Sequence, residues 1–189
     1  MKLFDTLLGR TKPVQPNLDS LFSLPPAAIE LEARMGMKPK DQAAVCFKPT
    51  NGQAFNLMQQ DLDSLLNLDA KENNTKLSEL DDKYGFHWVI ITNSSIEDLV
   101  TRTHLVNSTL EGQGFGPQLL CSVFSFEYNK KTAYLVYLYK RGSFYPFVPL
   151  ANEHRDSEME LQIKAALESE IKMESDLSRW FPLWGIPIG

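Results

Sequence analysis

The chain lacks most of the features by which a sequence declares its chemistry. Its 189 residues hold two cysteines, Cys46 and Cys121, with no Cys-x-x-Cys pair. That excludes the usual zinc-finger and thioredoxin-type motifs, and both residues read as small buried hydrophobes in strands. The three histidines, His87, His104 and His154, share no i, i+4 or His-x-His spacing, so no single turn or strand offers two imidazoles to one metal. There is no Gly-x-Ser-x-Gly, P-loop or dinucleotide fingerprint. The glycine cluster Gly112-Gln-Gly-Phe-Gly-Pro follows a predicted helix instead of opening one. It reads as a helix stop and not as a phosphate cradle. No apolar run approaches the roughly 20 residues of a membrane-spanning helix, and no signal-peptide core stands at the N-terminus. These absences predict a cytoplasmic protein, with peripheral attachment at the inner face of the membrane as the alternative. Positive charge is also scarce. Nineteen Lys and Arg stand against 24 Asp and Glu, a net charge of −5 and a pI near 5.2. A nucleic-acid partner is therefore not expected.

What is present is a core. Hydrophobic residues make up 43% of the chain, which suits one domain of this length. We divide it into an N-terminal amphipathic segment and linker, 1–16, and a single α+β domain, 17–189, with an aromatic C-terminal tail. The domain centres on 112–149. Leu119 to Tyr128 and Thr132 to Lys140 are apolar, β-branched and aromatic runs separated by Asn129-Lys130-Lys131, which predicts an antiparallel hairpin. Both of its faces are apolar, so it should lie inside a sheet and not at its edge. Further strands are expected at about 43–47 and 86–92. Helices are expected over Leu18–Leu24 with Leu18, Leu21 and Phe22 inward, over Ala27–Met35 closed by Gly36, and over Ala54–Leu68. Two more follow, over about Ile96–Glu111 with Ser95 as cap, and over about Glu158–Met173 with a Ser157/Glu160 capping box. Asp69 to Lys83 reads as an exposed loop. The expected fold is an α+β two-layer sandwich, a mixed, largely antiparallel sheet with helices mainly on one face.

Three stretches are candidates for contact. Leu3, Phe4, Leu7 and Leu8 share one helical face in a tip carrying Lys2, Arg10 and Lys12. That tip suits an anionic membrane, a partner's groove, or packing on its own domain. Lys140 and Arg141 form a basic turn before Phe144 and Tyr145, able to take an acidic side chain of a partner. Trp180, Phe181 and Trp184 stand in the terminal run Arg-Trp-Phe-Pro-Leu-Trp-Gly. Aromatic surface is costly to leave in water, so this tail either packs back on the domain or serves as a partner or membrane handle. Paired carboxylates such as Asp81-Asp82 lie among charged neighbours, with nothing to raise a pKa for acid catalysis.

Several strings together resemble the PspA-associated protein PspAB family. They are Leu-Gly-Arg-Thr-Lys-Pro at 8–13, Asn-Leu-Asp-Ser-Leu-Phe at 17–22 and Val-Cys-Phe-Lys-Pro at 45–49. Val-Asn-Ser-Thr-Leu-Glu at 106–111 and Gly-Phe-Gly-Pro-Gln-Leu-Leu-Cys at 114–121 follow. The last two are the segment from Leu135 to Phe147 and Asp-Leu-Ser-Arg-Trp-Phe-Pro-Leu-Trp-Gly at 176–185. The resemblance implies an accessory of the phage-shock-protein envelope-stress response built on the membrane-binding PspA, and it brings no catalytic residues. The expected function is a non-enzymatic adaptor or regulator without cofactor or metal, binding a protein partner, PspA. Fold analogy with secretion-chaperone-like domains points the same way. Two alternatives stay open: an enzyme or small-ligand binder with a pocket between sheet and helices near His104 and Cys121, and a homodimer joined along the sheet or through the tail.

Overall fold

In a computed structural model the structure describes residues 18–50, 60, 64 and 75–189. Six strands form one sheet in the order β2-β3-β1-β4-β5-β6: β1 (Lys38–Phe47), β2 (Lys76–Asp81), β3 (His87–Thr92), β4 (Leu119–Tyr128), β5 (Lys131–Leu138) and β6 (Ser143–Phe147). Every neighbouring pair is antiparallel. A small ribbon, β7 (Pro149–Leu150) with β8 (His154–Arg155), follows. Among the described residues three helices, α1 (Leu24–Met35), α2 (Ile96–Gly112) and α3 (Ser157–Leu167), pack on one face of the sheet. The result is an α+β sandwich whose six-stranded sheet is antiparallel throughout, not mixed. The parallel pairing among the described residues is an isolated bridge, Phe144 to Met173.

The local chemistry explains most boundaries. Pro25 and Pro26 occupy the first turn of α1, where their missing N–H groups cost nothing. Gly36 closes the helix at φ 68°, its N–H donating to the Glu32 carbonyl at 2.8 Å. Ser95 caps α2 by accepting from the Asp98 N–H at 3.2 Å. The hairpin β4–β5 turns on Asn129 (φ 49°) and Lys130 (φ 64°), a two-residue turn with both centres left-handed. That geometry matches the strand twist, so Lys131 belongs to β5 and the separator is two residues, not three. The hairpin is internal as its two apolar faces require, with β1 on one side and β6 on the other. Pro146 pairs across to Leu135 in the outermost strand β6, a position where a missing N–H is tolerated.

Several expectations need correction. Part of the predicted loop 69–83 is an edge strand, β2; its residues are nearly all exposed, so it carries no apolar alternation to read. The last helix stops at Leu167, and its cap is Asp156, which accepts from the Met159 N–H at 3.1 Å. Ser157 is already helical, and Glu160 is spent elsewhere. Leu18–Ser23 is a 3-10 turn in which Leu18 and Leu21 are buried but Phe22 is half exposed, lying against His104 with ring centroids 5.0 Å apart. Of the helix predicted over 54–68, Gln60 and Ser64 are helical; its other residues, and the segment 1–16, lie outside the described residues.

β2 is held to β3 by charge as well as by its ladder. His87 is buried, with Nδ1 2.7 Å from an Asp81 oxygen and Nε2 3.0 Å from a Glu79 oxygen. Carboxylates only accept, so both ring nitrogens donate and the ring is an imidazolium. Burial works to lower its pKa, but the hydrogen bonds and charges of Glu79 and Asp81 outweigh that and raise it above the ordinary 6.5. A raised folded-state pKa means this stabilisation is complete below pH 6.5 and is lost as pH climbs through the folded value. Urea midpoints measured across that range should fall with rising pH, and His87→Gln should flatten the slope. At the hairpin, Lys130→Gly removes a left-handed side chain and should raise stability by about 0.5–1 kcal/mol in the same assay.

Candidate functional site: the C-terminal tail and the cavity beneath it

The face of the sheet opposite the helices is covered by the chain's own tail. After α3, residues 171–174 run along the outer edge of β6. Phe144 N–H donates to the Lys172 carbonyl at 2.8 Å, and Glu174 N–H donates to the Phe144 carbonyl at 2.7 Å. A 3-10 turn at Leu177–Arg179 follows, capped by Asp176, whose carboxylate accepts from the Ser178 N–H. The tail then crosses the sheet. Tyr145 Oη donates to the Phe181 carbonyl at 2.9 Å, Tyr134 Oη to the Ile188 carbonyl at 2.6 Å, and Arg155 Nη1 to the Trp180 carbonyl at 2.7 Å. The Trp180 ring stacks on Tyr145 at 6.3 Å, and Trp184 meets Phe147 edge-on at 5.2 Å.

Two buried carboxylates brace this arrangement. Glu160 accepts from the Val148 N–H at 2.9 Å and from Arg155 Nε at 2.9 Å. Burial raises its pKa, against the pull of Arg155 and the Val148 N–H. Glu174 accepts from Arg141, from Ser143 Oγ at 3.1 Å and from the Asp176 N–H at 3.1 Å. Here burial pushes upward too, but Arg141 and the two other donors prevail and hold the carboxyl below its usual range. Each carboxylate thus has a cation and a backbone N–H, the partnership a buried charge requires.

The candidate residues separate accordingly. Phe144, Tyr145 and Trp180 are buried in the chain's own core. Arg141 is exposed, and its guanidinium is bound to Glu174. Lys140 is exposed, Phe181 is 58% exposed, and Trp184 is half-buried at the rim. Leu3, Phe4, Leu7 and Leu8 lie outside the described residues. Leu177 and Leu150 are further exposed apolar side chains; single leucines in polar segments gave no signal in the sequence. His104 and Cys121 do not meet. His104 sits on α2, 3.7 Å from Asp19, whereas Cys121 faces the tail. The expected pocket between sheet and helices near that pair is therefore corrected: the cavity at Cys121 lies on the other face.

That cavity measures about 500 Å³. Its floor is Cys46 and Cys121, directly opposite each other on β1 and β4. The register slips just beyond them. Phe47 pairs with Leu119, leaving Leu120 without a partner, and this bulge turns both Leu120 and Cys121 into the cavity. Trp88 and Phe86 form one wall, the Asp82 carboxylate and Tyr84 the rim, and the tail around Trp184 the roof. Both thiols are free. The hydrogen bond with Cys121, burial and the charge of Asp82 all push the Cys46 thiol upward, so Cys46 stays protonated.

Among the described residues no cluster of three metal-ligating side chains occurs, and no helix is long and apolar enough to cross a membrane. The family model of PspAB, PspA associated protein B, matches residues 1–188. The chain belongs to the PspAB family. No curated protein and no solved structure matches it. The family's description ties the chain to PspA, and the match spans the domain and the tail alike.

Arg155 holds both Glu160 and the tail. Arg155→Ala should therefore leave a buried carboxylate without its cation and cost about 3–5 kcal/mol in urea unfolding. The emission of Trp180 and Trp184 should shift to the red before the sheet unfolds. An unchanged midpoint and spectrum would show that the tail is held without this pair.

Proposed function

We propose that this PspAB-family chain is a non-enzymatic adaptor or regulator of the PspA envelope-stress response. Its protein partner is PspA, contacted through the rim formed by the tail and the β5–β6 turn. Carrying the reading is Phe181, an aromatic ring left 58% exposed on a backbone clamped through its carbonyl by Tyr145. An aromatic anchor already fixed in place loses little freedom on binding, and aromatic anchors dominate interface energetics. Lys140, exposed at the β5–β6 turn, supplies a charge for an acidic side chain. Phe144, Tyr145 and Trp180 act beneath the surface, by holding the rim in shape. In this reading the N-terminal residues Leu3, Phe4, Leu7 and Leu8 reach the partner, and the membrane contact they could make instead is the competing outcome of the test. The family description supports the partner.

The test is co-sedimentation with anionic vesicles, with and without PspA from the same organism. Retention should require PspA. Phe181→Ala combined with Lys140→Glu should weaken it at least about tenfold. Arg141 is left intact, since reversing it would strike Glu174 and confuse binding with folding. Equal retention of the double variant, or retention on vesicles lacking PspA, would overturn the reading.

A further inference from the structure

The cavity beneath the tail has a chemistry of its own, separate from the partner rim. Its walls are apolar and aromatic, and its floor is two free cysteines. Among the described residues that line it one is charged, Asp82, and none is basic. That carboxylate is firmly placed. It accepts from Trp88 Nε1 at 2.9 Å and from the N–H groups of Tyr84 and Phe86 at 2.8 and 3.0 Å. Burial acts to raise its pKa, but these donors more than offset it and keep the group ionised. Its charge reaches the floor, where it is one of the influences that keep Cys46 protonated. Lys83 Nζ lies 5.0 Å from the centroid of the Tyr84 ring, which is itself 52% exposed. That leaves Phe86, Trp88 and Trp184 as the inner aromatic surface.

We propose that this cavity binds a small amphiphilic organic cation, a quaternary or substituted ammonium on an apolar body. Asp82 is its counter-charge, and the indoles of Trp88 and Trp184 are its aromatic walls. Three observations select this class. The volume, about 500 Å³, suits a small organic molecule and far exceeds a bare ion. The apolar lining disfavours a sugar or nucleotide, whose hydroxyls and phosphates would lose water without gaining partners. A single unneutralised carboxylate beside electron-rich ring faces attracts positive charge, and it does so most for a weakly hydrated ammonium. An anionic ligand would meet Asp82 with no cation in the lining to offset it.

The test compares three probes of one shape class on the full chain: phenyltrimethylammonium, its neutral isostere tert-butylbenzene, and benzoate. Calorimetry gives stoichiometry, and quenching of Trp88 and Trp184 reports occupancy. One phenyltrimethylammonium per chain is expected, with affinity falling in the order cation, neutral, anion. Asp82→Asn should cut the cation's advantage over tert-butylbenzene about tenfold while leaving the neutral probe's affinity in place. Trp184→Ala should weaken both. Lys83→Ala should leave cation binding unchanged or strengthen it. If Asp82→Asn fails to fold, the rank order on the native chain decides alone, and any other order overturns the assignment. An absence of saturable binding, or a cation preference that survives Asp82→Asn, overturns it as well. None of these outcomes depends on PspA, so the partner reading stands or falls separately.

Discussion

A sheet whose central hairpin is apolar on both faces cannot be satisfied by helices on one side alone. In β4 and β5, Phe124, Phe126, Leu135 and Tyr137 face α1 to α3, while Val123, Tyr134 and Val136 face away. Something must cover the second set, and the chain uses its last ten residues. Burying one indole removes roughly 150–250 Å² of surface from water. At about 25 cal/mol per Å² that is on the order of 4–6 kcal/mol before the cost of ordering. A proline-rich strap can carry such residues because it arrives with part of its backbone freedom already lost. Its carbonyls are then met by Tyr134, Tyr145 and Arg155. Backbone that is neither helix nor ladder would otherwise lie on the core with unsatisfied groups.

The two buried glutamates share this task but are tuned in opposite directions. Glu174 sits beside Ser143 and Arg141, and its donors outweigh burial. Glu160 is equally buried but has, among the described residues, only Arg155 and the Val148 N–H as donors, and burial prevails. Both fix the path of the chain between β6 and the tail, a job for which hydrophobic packing lacks direction. Buried ion pairs add little net stability compared with well-packed apolar residues, and their use here lies in specifying one path among several.

Much of this was legible in residue pattern. The hairpin, β3, α2 and the buried half of β1 at 43–47 followed from periodicity and caps, because each has a buried stripe; the exposed first half of β1, 38–42, did not. The internal place of the hairpin followed from its two apolar faces. β2 was not legible, since an exposed edge strand lacks alternation and is held by His87 and its ladder. The cap of α3 was misassigned because Asp156 and Ser157 both suit the position, and Glu160 answered a distant demand from Val148 and Arg155 instead of a local one. For the candidate surface, composition marked the aromatic segments but not their depth. Phe144 and Phe181 look alike in sequence, yet one is buried and the other half out. Nor does a sequence place Cys46 opposite Cys121, because the two are far apart along the chain and their strands are separated by β2, β3 and α2.

The tail's place after every strand of the sheet also bears on biosynthesis. Every strand of the sheet precedes it, so a nascent chain can assemble the helical side of the core while the opposite face still has no cover. Until residues 180–188 emerge, Val123, Val136 and Tyr145 front an apolar surface open to water. Such a face is adhesive to other unfinished chains. Premature termination within this stretch would therefore give a product that retains most of the fold yet aggregates.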